Sequence, residues 1–290
     1  MSDPLAGIWS AVLTPVDESF DPDPSLAAPY YGDLLERGCD GLNLLGTTGE
    51  AMSFSAAQRV RFMEAIASSG LPKERLMAGT GAASLADAAV QTRAAFDCGL
   101  RAALVMPPFF FREVGDDAIL SFFDALFARA NPRPQSILLY NFPRMSGIAF
   151  SLTLVDRLVA AFGDVIAGMK DSSNDAQLQA RVVDKHPHLK IFPGSESDLL
   201  AAKMRGAAGC ISGSVSLWPE LAREVFAKGE AVKAEALRQK RATLDGVPFV
   251  PAMRYLTAAA RDEPAWLRPM PPQPALTLDE RRKLIQRVSG

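Results

Sequence analysis

The sequence predicts an α/β fold of the (β/α)8 type, a TIM barrel with extra C-terminal helices. Three observations predict it. Short apolar runs recur at roughly even spacing through the 290 residues, at 7–15, 41–47, 75–81, 102–108, 136–143, 165–171, 190–195 and 209–213. Each run is continuous rather than alternating, as strands covered on both faces of a parallel sheet should be. Amphipathic stretches separate them, and eight strands alternating with helices fit a closed barrel better than an open doubly wound sheet. No GxGxxG follows the first run, so the dinucleotide-binding version of the open sheet is not favoured.

The clearest helical stretches are 55–68, 84–97, 116–130, 152–162 and 216–228. Ser55, Ser84 and Ser151 stand where N-caps belong, with a hydroxyl to accept from the first turn. The barrel is expected to occupy residues 1–229. Residues 230–290 read as a helical extension packed on it, with helices at 231–245, 249–261 and 279–288. Between the last two, residues 263–274 hold five prolines and read as a loop.

Bulk properties narrow the function classes. Hydrophobic residues make up 48% of the chain, enough for a large core. The net charge is −2 with no basic stripe, which argues against nucleic acid and anionic membranes as partners. Cys39, Cys98 and Cys210 are scattered without a CxxC spacing, which points to a reducing compartment and buried thiols. Met1-Ser2-Asp3-Pro4 carries no basic leader and no long apolar run follows, so the cytoplasm is the expected location.

In this fold the chemistry sits at the C-terminal ends of the strands. Lys170 ends the sixth run, Val165-Ile166-Ala167-Gly168-Met169-Lys170. An ammonium withdrawn from water is costly, and desolvation favours the free amine, which attacks carbonyls to form Schiff bases. Tyr140 ends the fifth run and offers a phenol for proton transfer. The second run ends in Gly46-Thr47-Thr48-Gly49-Glu50. Its glycines let the backbone approach a ligand, and its N–H groups and two hydroxyls suit a carboxylate. His186 and His188 fall at the opposite end of the barrel and read as solvated loop residues rather than metal ligands. Asp171 is expected to face away from Lys170, and Trp9, Trp218 and Trp266 read as packing residues.

Gly46-Thr47-Thr48-Gly49-Glu50, Tyr140-Asn141-Phe142-Pro143 and Gly168-Met169-Lys170-Asp171 together resemble the dihydrodipicolinate synthase / N-acetylneuraminate lyase family of class I pyruvate-dependent aldolases. The resemblance runs over about residues 7–290. It implies that Lys170 forms an imine with pyruvate or another 2-keto acid, and that Thr47 and Thr48 hold its carboxylate. Tyr140 would shuttle protons, while Gly46, Gly194 and Ile211 would line the keto-acid site. It also implies a homotetramer and no metal or organic cofactor.

Two positions depart from the synthases. Those carry a tyrosine in the loop after the fourth strand, where this chain has Phe109-Phe110-Phe111. They also place an arginine where this chain has Met145, with Arg144 one residue off. These losses favour an aldolase or dehydratase for a 2-keto-3-deoxy sugar acid or similar 2-keto acid, with Phe110 on the pocket rim. Arg112 and Arg144 are candidates for a distal anion. Dihydrodipicolinate synthesis and a keto-acid-binding barrel of little activity stand as the alternatives.

Overall fold

A computed structural model describes residues 5–289. Residues 1–4, on which the expectation about a leader partly rests, lie outside the described residues. The elements are β1 (Gly7–Ala11), α1 (Pro24–Glu36), β2 (Gly41–Leu44), α2 (Ala56–Ala67), β3 (Leu76–Gly79), α3 (Leu85–Asp97), β4 (Ala102–Val105) and α4 (Asp116–Ala130). There follow β5 (Ile137–Asn141), α5 (Pro143–Ser146), α6 (Leu152–Phe162), β6 (Ile166–Asp171), α7 (Ala176–Lys185), β7 (Lys190–Pro193), α8 (Leu199–Met204) and β8 (Gly209–Ser212). The remaining helices are α9 (Pro219–Lys228), α10 (Ala231–Ala242), α11 (Phe249–Arg261) and α12 (Leu278–Ser289).

All strand pairs are parallel, in the order β7-β6-β5-β4-β3-β2-β1-β8. The two ends of that order meet where the Ala208 N–H donates to the Ile191 carbonyl at 2.9 Å, which brings the ring close to closure. Inward residues form one cluster that includes Trp9, Met77, Leu104, Tyr140, Phe192 and Ile211. Outward residues pack under the helices, as Ile137, Leu139, Ile166 and Met169 do. This double burial is why the strands read as continuous apolar runs.

The strands are shorter than the runs. β1 stops at Ala11, β2 at Leu44 and β4 at Val105, where runs reached 15, 47 and 108. At the end of β2 the cause is visible: Leu45 takes φ 51°, which leaves the extended region. The surplus apolar residues belong to the turns that build the barrel mouth. The three predicted serine caps all accept from their helix's first turn, and Ser55 forms a reciprocal capping box with Gln58. Helix 216–228 starts later than its run, at Pro219, after a 3-10 turn at Ser214–Ser216. Helix α1 was not among the clear stretches; it contains Pro29 and is started by Asp23, which accepts from the Ser25 and Leu26 N–H groups. Within 263–274 the structure adds a short 3-10 helix at Pro264–Leu267.

The C-terminal helices share a core with the barrel. Leu244, Val250, Met253, Trp266 and Leu284 pack in the same cluster as Tyr31, Leu42 and Phe62. Tyr30 and Trp266 meet edge to face, with ring centroids 4.9 Å apart.

Candidate active site

Lys170 and Tyr140 are partners in register across β6 and β5, and Asn141 and Asp171 are the next pair. Successive residues on a strand face opposite ways, so one pair points into the barrel and the other toward the helices. A bulge decides which. Ile137 pairs with Ile166 but Leu138 pairs with Gly168, so Ala167 is an extra residue in β6. Ile166 packs in the outer layer. Strict alternation from Ile166 would send Lys170 outward too; the inserted residue turns it inward, against the Tyr140 ring. Gly168 is the residue that fits there, because a Cβ would stand 2.0 Å from the Lys190 carbonyl oxygen.

Inside the barrel Lys170 is 5% exposed and has no carboxylate partner among the described residues. Its Nζ lies 4.6 Å from the centroid of the Tyr140 ring, whose electron-rich face supports a cation. The Tyr140 hydroxyl is 3.4 Å from Thr47 Oγ1, a long contact at the outer limit of a hydrogen bond. Phe142 stacks on the Tyr140 ring, with centroids 5.6 Å apart. Ile211 is buried in the same interior cluster. Gly194 joins the end of β7 to β6 through its N–H, which donates to the Asp171 carbonyl at 2.7 Å.

On the other face of β6, Asp171 turns away from Lys170. Its carboxylate accepts from Asn141 Nδ2 at 2.6 Å, from Gln179 Nε2 at 2.8 Å and from Ser173 Oγ at 3.0 Å. Asn141 completes the set by accepting from the Phe150 N–H at 3.0 Å. These bonds tie β5, β6 and α7 together directly behind the lysine and tyrosine.

The Gly46–Glu50 turn lies between two residues with positive φ, Leu45 at 51° and Glu50 at 53°. Such conformations are strained for non-glycine residues and persist where their surroundings hold them. The turn is closed by the Glu50 N–H on the Thr47 carbonyl at 3.1 Å and the Ala51 N–H on the Gly46 carbonyl at 3.3 Å. A Cβ on Gly49 would meet Thr14 Oγ1 and the Val12 carbonyl at 2.9 Å, and one on Gly213 would meet Thr48 Oγ1 at 2.6 Å. The turn is thus pressed against the ends of β1 and β8.

Asn43 and Arg254 enter the site region without having been singled out in the sequence, and Glu50, quoted there only as the last residue of its turn, gains a partner. Glu50 and Arg254 form a buried ion pair, and Arg254 Nη2 also donates to the Thr14 carbonyl at 2.9 Å. Burial pushes the Glu50 carboxyl above the usual carboxylate range, against the pull of the Arg254 guanidinium. Asn43 is fully buried on β2, and neither amide atom finds a hydrogen-bond partner among the described residues. Its Nδ2 would stand 2.5 Å from a Cβ on Gly46. A polar residue inside an apolar strand was the one sequence signal for Asn43; nothing in the sequence linked Glu50 to a residue 204 positions away.

One expectation needs correction, that of His186. Phe110, expected on the pocket rim, is 76% exposed and its ring meets that of Phe111, itself 74% exposed, edge to face at 5.2 Å. Phe109 packs against the interior cluster. His186 is not simply solvated, because Nε2 contacts Asp156 Oδ1 at 2.7 Å and its side chain is 12% exposed. Arg112 and Arg144 are both exposed, and the Arg112 stem lies over Gly147, where a Cβ would meet its Cδ at 2.4 Å. Among the described residues no group of three or more His, Cys, Asp or Glu could hold a metal ion, and no helix is long and apolar enough to cross a membrane.

The sequence matches the dihydrodipicolinate synthetase family over residues 4–283. The chain belongs to this family. An uncharacterized DapA-like lyase of Chloroflexus aurantiacus is 37% identical over 265 residues, covering 89% of this chain and 88% of the relative. An N-acetylneuraminate lyase of Escherichia coli is 26% identical, covering 75% and 71%. Among solved structures, the dihydrodipicolinate synthase of Agrobacterium tumefaciens superposes with a TM-score of 0.91 at 29% identity, covering 98% of each chain. The predicted (β/α)8 barrel is therefore the fold of this dihydrodipicolinate synthetase family member, and the three motifs that carried the resemblance all stand at its strand ends.

Proposed function

We propose that this family lyase works through an imine on Lys170, acting on pyruvate, a 2-keto-3-deoxy sugar acid or a similar 2-keto acid. The observation that carries the reading is a buried lysine with no carboxylate partner among the described residues, set against a tyrosine whose hydroxyl faces Thr47. The Lys170 amine adds to the C2 ketone and water leaves, giving an iminium. In cleavage, Tyr140 takes the proton of the C4 hydroxyl. The C3–C4 bond breaks, its electron pair passes to C3 as the enamine, and an aldehyde departs. Protonation at C3 and hydrolysis of the imine release pyruvate and the free amine. In dehydration, a C3 proton leaves instead and the hydroxyl on the next carbon departs as water. Thr47 and Thr48, with the turn's N–H groups, hold the carboxylate. The lysine is itself the electron sink.

Borohydride reduction in the presence of pyruvate, followed by mass measurement, tests the imine. A stable adduct on Lys170 that is lost in Lys170→Ala is expected; no adduct at millimolar pyruvate removes the mechanism. Pyruvate release from a panel of 2-keto-3-deoxy acids then identifies the partner.

Dihydrodipicolinate synthesis is the second reading, favoured by the likeness to the Agrobacterium synthase. Phe109-Phe110-Phe111 and Met145 weigh against it, since they offer neither a phenol nor a guanidinium for that chemistry. Condensation of pyruvate with aspartate semialdehyde at a rate matching sugar-acid cleavage reverses the ranking.

A further inference from the structure

We propose that Glu50 and Arg254 are positioning residues through which α11, in the C-terminal extension, holds the Thr47-Thr48 turn in shape to receive a substrate carboxylate. This rests on the reading of that turn as the carboxylate clamp.

Two backbone hydrogen bonds close the turn, but they leave strained residues at its ends. Leu45 and Glu50, at its two ends, are both left-handed residues with a Cβ, at φ 51° and 53°. Something must fix Glu50 there, and the contacts identify it. Glu50 Oε2 accepts from Arg254 Nε at 2.8 Å and also from Arg254 Nη2. The same Nη2 donates to the Thr14 carbonyl at 2.9 Å, where β1 runs into the barrel mouth. One guanidinium therefore grips the far end of the turn and the segment beside it. The grip is charge-assisted, with two guanidinium nitrogens on one carboxylate oxygen and one of them shared with the Thr14 carbonyl, a fixed set of donors that an ammonium does not supply.

Thr48, inside the turn, is backed by the same helix. Phe249 opens α11, and a Cβ on Gly213 would meet the Phe249 ring at 3.0 Å and Thr48 Oγ1 at 2.6 Å. Gly213 is thus the gap into which both Thr48 and Phe249 fit. α11 supports the turn at Thr48 through packing and at Glu50 through charge.

Stability alone is a poor reason for the pair. Both side chains are 2% exposed, and a buried ion pair stabilises little or nothing beyond well-packed apolar residues of the same volume. Breaking one half leaves a buried charge, so the pair enforces one geometry. The residue it enforces it on stands two positions from Thr48.

The test follows borohydride trapping on the full chain across a pyruvate series, with the thermal transition measured in parallel. In Glu50→Gln and Arg254→Met, half-saturating pyruvate should rise about tenfold, equivalent to about 1.4 kcal/mol of lost binding. The maximal trapping rate should stay within about threefold. Arg254→Lys, which keeps the charge but not the fork, should fall between wild type and Arg254→Met. If Arg254→Met does not fold, Glu50→Gln and Arg254→Lys carry the comparison. Unchanged half-saturation in the folded variants overturns the inference while leaving the imine mechanism standing. So does a maximal rate that falls in step with half-saturation and the thermal transition, since that marks a merely structural pair. No adduct on the wild-type protein overturns both.

Discussion

Lys170 is useful because of what surrounds its amine. It is buried against the Tyr140 ring and pairs with no carboxylate among the described residues. In the proposed mechanism Tyr140 has two parts to play: its ring lies beside the lysine and its hydroxyl faces Thr47. The Tyr140→Phe variant separates them. The ring stays, so the pyruvate adduct should still form, at a reduced rate. The proton carrier is gone, so turnover should fall about 100-fold or more. Steady-state release of pyruvate beside mass-detected trapping measures both, and unchanged turnover removes the hydroxyl from the mechanism. The placement of Lys170, Tyr140 and the Thr pair at the strand ends was legible in sequence because each is a chemically distinctive residue at the end of an apolar run. Asn43 was not, because a single amide in a strand carries no pattern of its own.

At the scale of elements, the bulge in β6 matters most. It is one extra residue, Ala167, and it sets the face that every later residue of the strand presents. Gly168 makes it possible by leaving room for the Lys190 carbonyl. Gly168→Ala should cost about 1–3 kcal/mol or more in overpacking, read from urea unfolding. It should also slow imine trapping, because relief of the clash moves β6 against β7 and displaces Lys170. A Gly168→Ala protein with wild-type stability and trapping would show that the strand absorbs the side chain elsewhere. Behind the bulge, the Asn141–Asp171–Gln179 bonds hold the outer face. The strand runs themselves were readable, but their ends were not. Leu45, for instance, is as apolar as any strand residue and yet turns left-handed.

For the whole molecule, burial governs the thiols. Burial, with a smaller push from Asp40, raises the Cys39 thiol to about 12, and burial raises Cys210 as well. The unfolded chain loses these protons near pH 8.5 while the native state keeps them. For both thiols the contribution is complete below the unfolded value of about 8.5 and is lost at higher pH; for Cys39 the loss runs up to about 12. In that window Cys39 should lower unfolding free energy by about 1.4 kcal/mol per pH unit. Urea midpoints at pH 7.5, 9 and 10 should fall, and Cys39→Ala should flatten the slope. Assembly is the second prediction at this scale. The exposed Phe110–Phe111 pair is costly to leave in water, and we propose that it is covered in a homotetramer built as a dimer of dimers. Light scattering should give about four times the 31.1 kDa chain mass. Phe110→Ser with Phe111→Ser should reduce it, and an unchanged tetramer would place the interface elsewhere.

The sequence by itself determined the barrel and which residues stand at its mouth. Doubly covered strands must be apolar along their length, and reactive residues at their ends interrupt that pattern visibly. Only the tertiary structure decided which way those residues point and what holds them. Lys170 faces the interior through a bulge that alternation alone does not reveal. The Thr47-Thr48 turn is braced by Arg254, which lies 204 residues beyond Glu50 and meets it only when α11 packs against the barrel. A bulge and a long-range ion pair have the same physical origin: both depend on a neighbouring strand or helix, and no local periodicity encodes either.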